Sequence, residues 1–565
     1  MFISGIYESS KFHREENIVN KLKMAAVVLA GGCALAASAY DVRFKNIYQS
    51  KMVLQAGVPN DVAGRSDPGA AISVTGEAVK PGKAPQMISL HVKADSSGRW
   101  TVTLPALPKR TVLKLTCSDG KTSKTIEDVV FGELWLCSGQ SNMEWNFNAN
   151  TIPADYLEKC RASVPAFAGD IRTIVTERNC LVSPCDEIGG TWNRIDKGDD
   201  LRRAGSQFGY LFAQLISKAL DTPVGIIDSS VGGSRIEPWI PASAFKESNV
   251  PFHTQDRRAF RWDTYQAALA NFAKDRADFM SRRSKWLSDN PSNDLRNRNR
   301  DTMPKPPIDE LALDHMPAKF FNGKICGLFP LKPAGVLWYQ GCSNDSEPYE
   351  YGELAKLLVT SWRKHFRTEF PFYYVELAAI NDPQSEPVQK WSWGGIREAQ
   401  GEVLALPKTG VVTSADAGGS DKLGLGDIHP PCKKMIAGRA AKLVLAEVYG
   451  KGSAVAARSP YYSGVSKAEG GKFRVKIANA DGLRLMPGKD KIDGFAIRGE
   501  KKDDWKWANA VIDGDEIVLS SPDVPKPVAV RYGWARRPRL TLESAHALPL
   551  RPFSTDHGST LDYGK

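Results

Sequence analysis

The chain has 565 residues, which predicts two to four domains because single hydrophobic cores stop growing at roughly 250–300 residues. Its apolar fraction of 42% and charged fraction of 25% are those of a globular protein and exclude a largely disordered chain. The net charge of +11 is spread along the sequence without a run of five basic residues, so nucleic acid is not expected as a partner.

The segment 21–39 is typical of a secretory signal peptide. It has a basic start, a small apolar run and an Ala-Ser-Ala end that fits a cleavage site. We therefore predict that residues 1–39 are removed by cleavage near Ala39, with Met24 as an alternative start. The expected protein is secreted or periplasmic and has no stable membrane insertion after cleavage. A lipoprotein anchored through Cys33 is the alternative.

Residues 40–127 predict an N-terminal β domain. Apolar and polar residues alternate in short runs separated by Gly, Pro, Asp and Ser, which is typical of a β-sandwich. The runs cover 71–75, 87–92, 100–104 and 112–116. The same pattern returns in a C-terminal β segment at 451–565, with predicted strands at 473–477, 493–497, 516–519 and 528–532.

Residues 128–450 predict an α/β domain with a mainly parallel sheet and helices on both faces, because apolar strands alternate with helical segments. A polar stretch at about 255–305 is predicted to be a helical insertion. The predicted strands are 133–137, 224–228, 335–339, 372–375 and 411–413, and the predicted helices include 206–220 and 433–448.

Four segments that follow predicted strands or lie late in this domain carry reactive or polar residues. The carboxyl ends of parallel strands are where open α/β sheets bind ligands. In 137–144, Ser141 can expose its hydroxyl as a nucleophile and offer its own N–H to an oxyanion. In 229–239, a glycine pair that includes Gly233 lets backbone N–H groups approach a ligand closely.

The third and fourth segments supply amides and a base. Gln340 and Asn344 in 338–345 each carry an amide N–H. Asp427 lies two positions before His429, so it can orient the imidazole while the other ring nitrogen acts as base. Taken singly, each segment is also compatible with a tight turn, a capped loop or a chance Asp-x-His. Their order along the chain predicts a serine hydrolase.

The nine cysteines do not indicate a metal site. Removal of the signal peptide leaves eight, and the chain has neither a Cys-x-x-Cys pair nor a Cys/His cluster with zinc spacing. We therefore predict neither a metal nor another cofactor.

These segments together resemble the SGNH hydrolases, and specifically the sialate O-acetylesterase family. The similarity extends over about 42–556 and is carried by five blocks. They are Met52-Val53-Leu54-Gln55, Leu134 to Glu144, Asp427 to Pro431 (DIHPP), Val530 to Trp534 and Leu548 to Phe553.

The resemblance implies an SGNH-hydrolase three-layer α/β/α catalytic domain with flanking β-sandwich-like segments. It implies a carbohydrate O-acetylesterase, with O-acetylated sialic acid as the first substrate to consider. An acetyl-xylan esterase and a non-catalytic carbohydrate-binding protein are the alternatives. The implied catalytic residues are Ser141, Asp427 and His429. The implied oxyanion donors belong to Ser141, Gly233, Gln340 and Asn344, and the implied substrate-binding residues are Gln140, Asn142, Arg235 and Glu237.

Two departures from the family pattern are both to cysteine. Cys342 stands where the family usually has Glu, and Cys432 where it often has Asn. Since export permits disulfides and both loops are expected to meet at the site, we predict a Cys342–Cys432 bridge. Cys180 and Cys185 are a second candidate pair. The alternative for the first pair is two buried free thiols.

Overall fold

The fold is known from a computed structural model that describes most of the chain. The described residues are 41–148, 152–181, 183–248, 278, 281–282, 285–286, 316–389, 393–418, 428–467 and 470–556. The predicted signal peptide at 1–39 lies outside them. So does nearly all of the predicted insertion at 255–305, of which the five described residues are helical. In the described part of the chain, every helix is too short or too polar to cross a bilayer.

The N-terminal part of the described chain forms β structure, as its alternating sequence predicts. Its strands are β1 (Arg43–Phe44), β2 (Val53–Gln55), β3 (Asn60–Arg65), β4 (Ala71–Val79), β5 (Gln86–Lys93), β6 (Arg99–Leu104), β7 (Val112–Ser118) and β8 (Ser123–Gly139). Strand β3 pairs antiparallel with β1 and β6, and β4 pairs antiparallel with β5 and β7. Buried residues alternate with more exposed ones along β4, as expected for a half-buried strand.

Strand β8 connects the two parts of the molecule that the sequence separates. Its first half pairs antiparallel with β7 and parallel with β2. Its second half is buried except at Glu133 and lies in the parallel sheet described next. The predicted domain boundary at Asp128 therefore lies within one continuous strand of 17 residues.

The central sheet continues from β8 through the strands β9 (Ile171–Val175), β10 (Trp192–Arg194), β11 (Val224–Ser230), β12 (Gly335–Tyr339), β13 (Phe372–Val375) and β14 (Thr409–Val412). Their order is β10-β9-β11-β8-β12-β13-β14, and all of these pairs are parallel except that of β10 with β9. The strands predicted at 335–339 and 372–375 are confirmed residue for residue.

Helices lie on both faces of this sheet. They are α1 (Ser141–Glu144), α2 (Ala154–Ser163), α3 (Gln207–Leu220), α4 (Ala242–Ser248), α5 (Pro348–Phe366), α6 (Trp393–Gly401), α7 (Lys434–Glu447) and α8 (Ala454–Ala457). Successive side chains of a strand point to opposite faces. Trp338 of β12 accordingly joins a core with α5 and α6, whereas Leu337 joins a second core with α3 and α7.

The C-terminal part returns to β structure, with β15 (Tyr461–Lys467), β16 (Phe473–Ala478), β17 (Arg484–Leu485), β18 (Phe495–Arg498), β19 (Lys506–Trp507), β20 (Asn509–Asp513), β21 (Glu516–Ser520), β22 (Ala529–Tyr532), β23 (Leu542–Glu543) and β24 (Phe553–Ser554). Most of its buried apolar residues form a core of their own. Buried Arg397 of α6 joins this part to the sheet, because its guanidinium donates to the carbonyls of Leu377 and Ala378 on one side and Ala535 and Arg536 on the other.

Candidate active site

Ser141 lies directly beyond the carboxyl end of β8, where the backbone turns sharply. Gly139 has a φ of +133°, and a Cβ there would lie 2.3 Å from the carbonyl oxygen of Tyr339. Only glycine fits this conformation and this close approach. The turn ends β8 and begins α1 at Ser141, which leaves the side chain of Ser141 partly exposed at the end of the central sheet.

The structure brings His429 to Ser141. The distance between His429 Nε2 and Ser141 Oγ is 2.7 Å, and the two residues lie 288 positions apart in the sequence. Trp145 stacks on the imidazole, with ring centroids 4.5 Å apart and an interplanar angle of 15°. Trp145 follows Ser141 by four residues, which is about one helical turn. The segment 141–145 therefore supplies both the Ser141 hydroxyl and the indole ring that stacks on His429.

The imidazole is electrostatically suited to act as a base. Burial, and to a smaller extent the nearby charge of Lys433, lowers the pKa of His429 to about 4. His429 is therefore neutral at physiological pH, and its Nε2 can accept the proton of the Ser141 hydroxyl. Asp427, the predicted orienting carboxylate, lies outside the described residues, so its role stays a prediction.

The second loop passes beside the nucleophile. A Cβ built on Gly232 would lie 3.6 Å from Ser141 Cβ, and the Gly232 N–H donates to Glu144 Oε2 at 2.6 Å. Gly233 is exposed, has a φ of +74°, and has open space around the position of a Cβ. Its N–H therefore lies in an accessible loop next to Ser141, and its role as an oxyanion donor stays a prediction.

A buried ionic network supports the second and third loops. Arg235 donates to Glu237 Oε1 at 2.8 Å and also binds Glu347. These carboxylates raise the pKa of the Arg235 guanidinium above its ordinary value, although burial opposes them. Asn344 joins the network by donating to Glu237 Oε2 at 3.1 Å and accepting from the N–H of Ile236 at 3.0 Å.

Gln340 is part of the same network. Its Nε2 donates to the carbonyl of Ser234 at 3.1 Å and to Asn344 Oδ1 at 2.8 Å. An amide nitrogen carries two hydrogens, and here both have acceptors within the protein. The amides of Gln340 and Asn344 thus hold the second and third loops together, and their role as oxyanion donors stays a prediction.

The four predicted substrate-binding residues are buried beneath the surface of the site. Gln140, Asn142, Arg235 and Glu237 are 2%, 1%, 4% and 2% exposed. Gln140 Oε1 accepts from the N–H of Gly341 at 2.9 Å, so it ties the nucleophile loop to the third loop. In this structure their polar atoms bind other parts of the protein, and direct contact with substrate stays a prediction.

The predicted disulfides are absent from the structure. Cys342, Cys432 and Cys185 carry free thiols, and neither the Cys342–Cys432 pair nor the Cys180–Cys185 pair is bridged. Cys342 packs against the core that contains α5 and α6, and burial raises its pKa to about 12. Cys432 instead lies near Cys160 of α2, which together with burial raises the pKa of Cys432. Both thiols lie near the ammonium group of Lys433, yet they are not bridged.

Sequence reasoning missed three residues of the site, namely Glu144, Trp145 and Lys433. The first two follow Ser141 by three and four residues, a spacing that would have placed them beside it had the short helix been predicted. Nothing in the sequence around Lys433 signals its role. Among the described residues, no group of three or more His, Cys, Asp or Glu is arranged to hold a metal ion.

Comparison with known proteins gives a consistent set of relatives, although no protein-family model matches. The sialate O-acetylesterases of Rattus norvegicus and Mus musculus are 25% and 26% identical over 441 residues, which cover 72% of this chain and 74% of each relative. A carbohydrate acetylesterase from Xanthomonas citri has a similar structure. Its TM-score is 0.69 at 27% identity, and the match covers 91% of this chain and 99% of that one.

Proposed function

We propose that this chain is a member of the sialate O-acetylesterase family and that it hydrolyses acetyl esters on sugars with Ser141 as nucleophile and His429 as base. The observation that carries the proposal is the 2.7 Å contact between Ser141 Oγ and His429 Nε2 at the end of the central sheet. The layered arrangement of helices on both faces of the sheet is in keeping with an SGNH-hydrolase catalytic domain. We infer that the protein acts after export, as the segment 21–39 predicts.

The reaction proceeds by acyl transfer. His429 takes the hydroxyl proton of Ser141 while Oγ attacks the acetyl carbonyl carbon. The sugar oxygen leaves with the proton from His429, so that Ser141 carries the acetyl group. Water then attacks the acetyl-serine and gives a proton to His429, which passes it to Ser141 Oγ as the bond between Oγ and the acetyl group breaks and acetate is released. Asp427 would hold the other ring nitrogen and stabilise the charged imidazole.

Backbone N–H groups at the start of α1 and in the second loop would stabilise the oxyanion. The N–H groups of Ser141 and Gly233 are the proposed donors, with Gln340 and Asn344 contributing either directly or by fixing the second loop. Loss of one oxyanion donor typically raises the barrier by about 2.7–4 kcal/mol.

The proposal predicts a specific pattern of activity. The purified protein should release acetate from an O-acetylated sugar, and Ser141→Ala should reduce kcat by about 10⁴-fold or more without changing thermal unfolding. His429→Ala should be comparably severe, and Asp427→Asn should leave more activity. Ser463→Ala, in a C-terminal strand, serves as the control with unchanged activity. If Ser141→Ala retains a tenth of the activity, Ser141 is not the sole nucleophile.

The substrate is proposed to be an O-acetylated sialic acid, with acetylated xylan as the second candidate. The comparison of acetate release from both substrates decides between them. A protein that binds these glycans but does not hydrolyse them, or an aryl acetate, would instead be a non-catalytic carbohydrate-binding protein.

A further inference from the structure

A buried lysine lies behind the reacting pair without touching either of its atoms. Lys433 is 0% exposed and stands at the N-terminus of α7, four residues after His429. Its backbone N–H donates to Gln207 Oε1 of α3 at 2.7 Å, and its Nζ donates to Asn142 Oδ1 at 2.5 Å. The first bond fixes the start of α7, and the second directs the ammonium group towards the nucleophile loop.

Asn142 connects this ammonium group to the loop that carries the base. While its Oδ1 accepts from Lys433, its Nδ2 donates to the carbonyl of Ile428 at 2.8 Å. Asn142 follows Ser141, and Ile428 precedes His429. Two hydrogen bonds therefore join the nucleophile loop to the His429 loop. One lies between Ser141 and His429, and the other runs from Asn142 to the carbonyl of Ile428.

The ammonium group also lies next to the rings that surround the imidazole. Lys433 Nζ is 6.0 Å from the ring centroid of Trp145, which stacks on His429, and 5.6 Å from that of Tyr339. An amide that accepts a hydrogen bond from a cation becomes a stronger donor, so the ammonium group should strengthen the bond from Asn142 to Ile428.

The charge of Lys433 acts on His429 over a defined pH range. Burial lowers the pKa of Lys433 to about 7, so the ammonium group is charged below that pH, where an ordinary imidazole takes up its proton. Glu144, the charged residue of α1, is hydrogen-bonded to Gly232, and the titratable groups nearest to Lys433 are the thiols of Cys342 and Cys432. Asp427, on the loop of His429 itself, lies outside the described residues.

We propose that Lys433 is a positioning residue, which holds the His429 loop in register with Ser141 through Asn142 and keeps the imidazole neutral through its charge. This role depends on the proposed function, because it assumes that Ser141 and His429 are the reacting pair. It assigns no contact between Lys433 and the substrate.

Two substitutions separate the hydrogen bond from the charge. Lys433→Met removes both, whereas Lys433→Gln keeps an amide donor and removes only the charge. Lys433→Met should lower kcat by about 10- to 100-fold with KM changed less than twofold, since small displacements of a reacting group cost this much. In both variants the acid limb of the pH–rate profile should move upwards, towards the ordinary pKa of histidine. Lys433→Gln should recover most of the lost kcat but not the position of the acid limb.

Lys45→Met is the matched control, because Lys45 is also buried but donates to the carbonyls of Gly327 and Phe329 in another part of the molecule. It should leave both kcat and the acid limb unchanged. An unchanged acid limb together with kcat within twofold of wild type in both Lys433 variants would overturn the proposal.

A direct titration of His429 by NMR gives a readout that needs no turnover. In the wild-type chain His429 should titrate well below the ordinary value of 6.5, and in Lys433→Gln it should titrate closer to that value. If the two titrations coincide, Lys433 does not tune the base. A wild-type protein inactive on every acetyl ester would refute the proposed function, yet this titration would still test the effect of Lys433.

Discussion

Two buried basic residues beside the candidate active site, Arg235 and Lys433, differ in whether carboxylates neutralise their charge. Arg235 is paired with two carboxylates, which raise its pKa above the ordinary value. Lys433 has an amide oxygen and two aromatic rings as neighbours, and among the described residues no carboxylate forms an ion pair with it. Burial therefore lowers the pKa of Lys433 to about 7. Comparable burial leaves a permanent charge on Arg235 beneath the second and third loops and a titrating charge on Lys433 near His429, because carboxylates compensate only Arg235.

The largest loss of unfolding free energy is expected when Arg235 is removed from its ion pairs. Arg235→Met leaves Glu237 and Glu347 close together in a buried site without their cation, and loss of one partner of a buried pair typically costs about 3–5 kcal/mol of unfolding free energy. Urea denaturation at pH 7 measures this loss. Burial already raises the pKa of Glu347, and its protonation would relieve the repulsion, so the deficit should shrink as the pH falls from 7 to 5.

The control for this prediction is an exposed ion pair. Lys364 and Glu247 are 73% and 59% exposed at the side chain, so Glu247→Gln should change the unfolding free energy by less than about 1 kcal/mol. If the deficit of Arg235→Met were equally small and independent of pH, Arg235 would not be a compensated buried charge.

A smaller change of the unfolding free energy is expected from the titration of Lys433. Between pH 7 and 10 the unfolded chain keeps a proton on Lys433 that the folded chain has lost, so the unfolding free energy contributed by this group rises with pH. The slope is at most about 1.4 kcal/mol per pH unit for one proton. Urea denaturation at pH 7.5 and 8.5 should show this contribution in the wild type and not in Lys433→Met. If the unfolding free energies of the wild type and Lys433→Met changed equally with pH, the lowered pKa of Lys433 would be contradicted.

The smallest effect is expected from the two cysteines near Lys433. Since Cys342 and Cys432 are free thiols, a reductant should leave both activity and unfolding unchanged. Peptide mapping of the unfolded, non-reduced protein should find alkylated thiols at both positions. A peptide that links residues 342 and 432 would contradict the structure.

The sequence was most informative where a pattern has one structural solution. The apolar runs at 335–339 and 372–375 are bordered by polar or turn residues, and they form β12 and β13 as predicted. The segment 123–128 before the apolar part of β8 is mostly polar, so the continuation of the strand across Asp128 was not predicted. That continuation depends on pairing with β7 and β2, which no local pattern records.

The structure brings Ser141 and His429 together, in keeping with the residue types and their order along the chain, and their catalytic roles stay a prediction. The residues that support this pair could not be predicted. The disulfide between Cys342 and Cys432 was wrongly predicted because the convergence of two loops does not fix the direction of each thiol. Trp145 and Lys433 were missed because stacking and burial are properties of the packed molecule.

The continuity of β8 restricts how this protein could have been assembled from smaller parts. A gene fusion or recombination event that joined a foreign β domain at Asp128 would cut through a hydrogen-bonded strand whose last residue is two positions from Ser141. A shift of one residue at such a junction would turn every following side chain of the strand to the opposite face of the sheet. A recombination junction at Asp128 would therefore have to preserve the register of β8 for the central sheet to form.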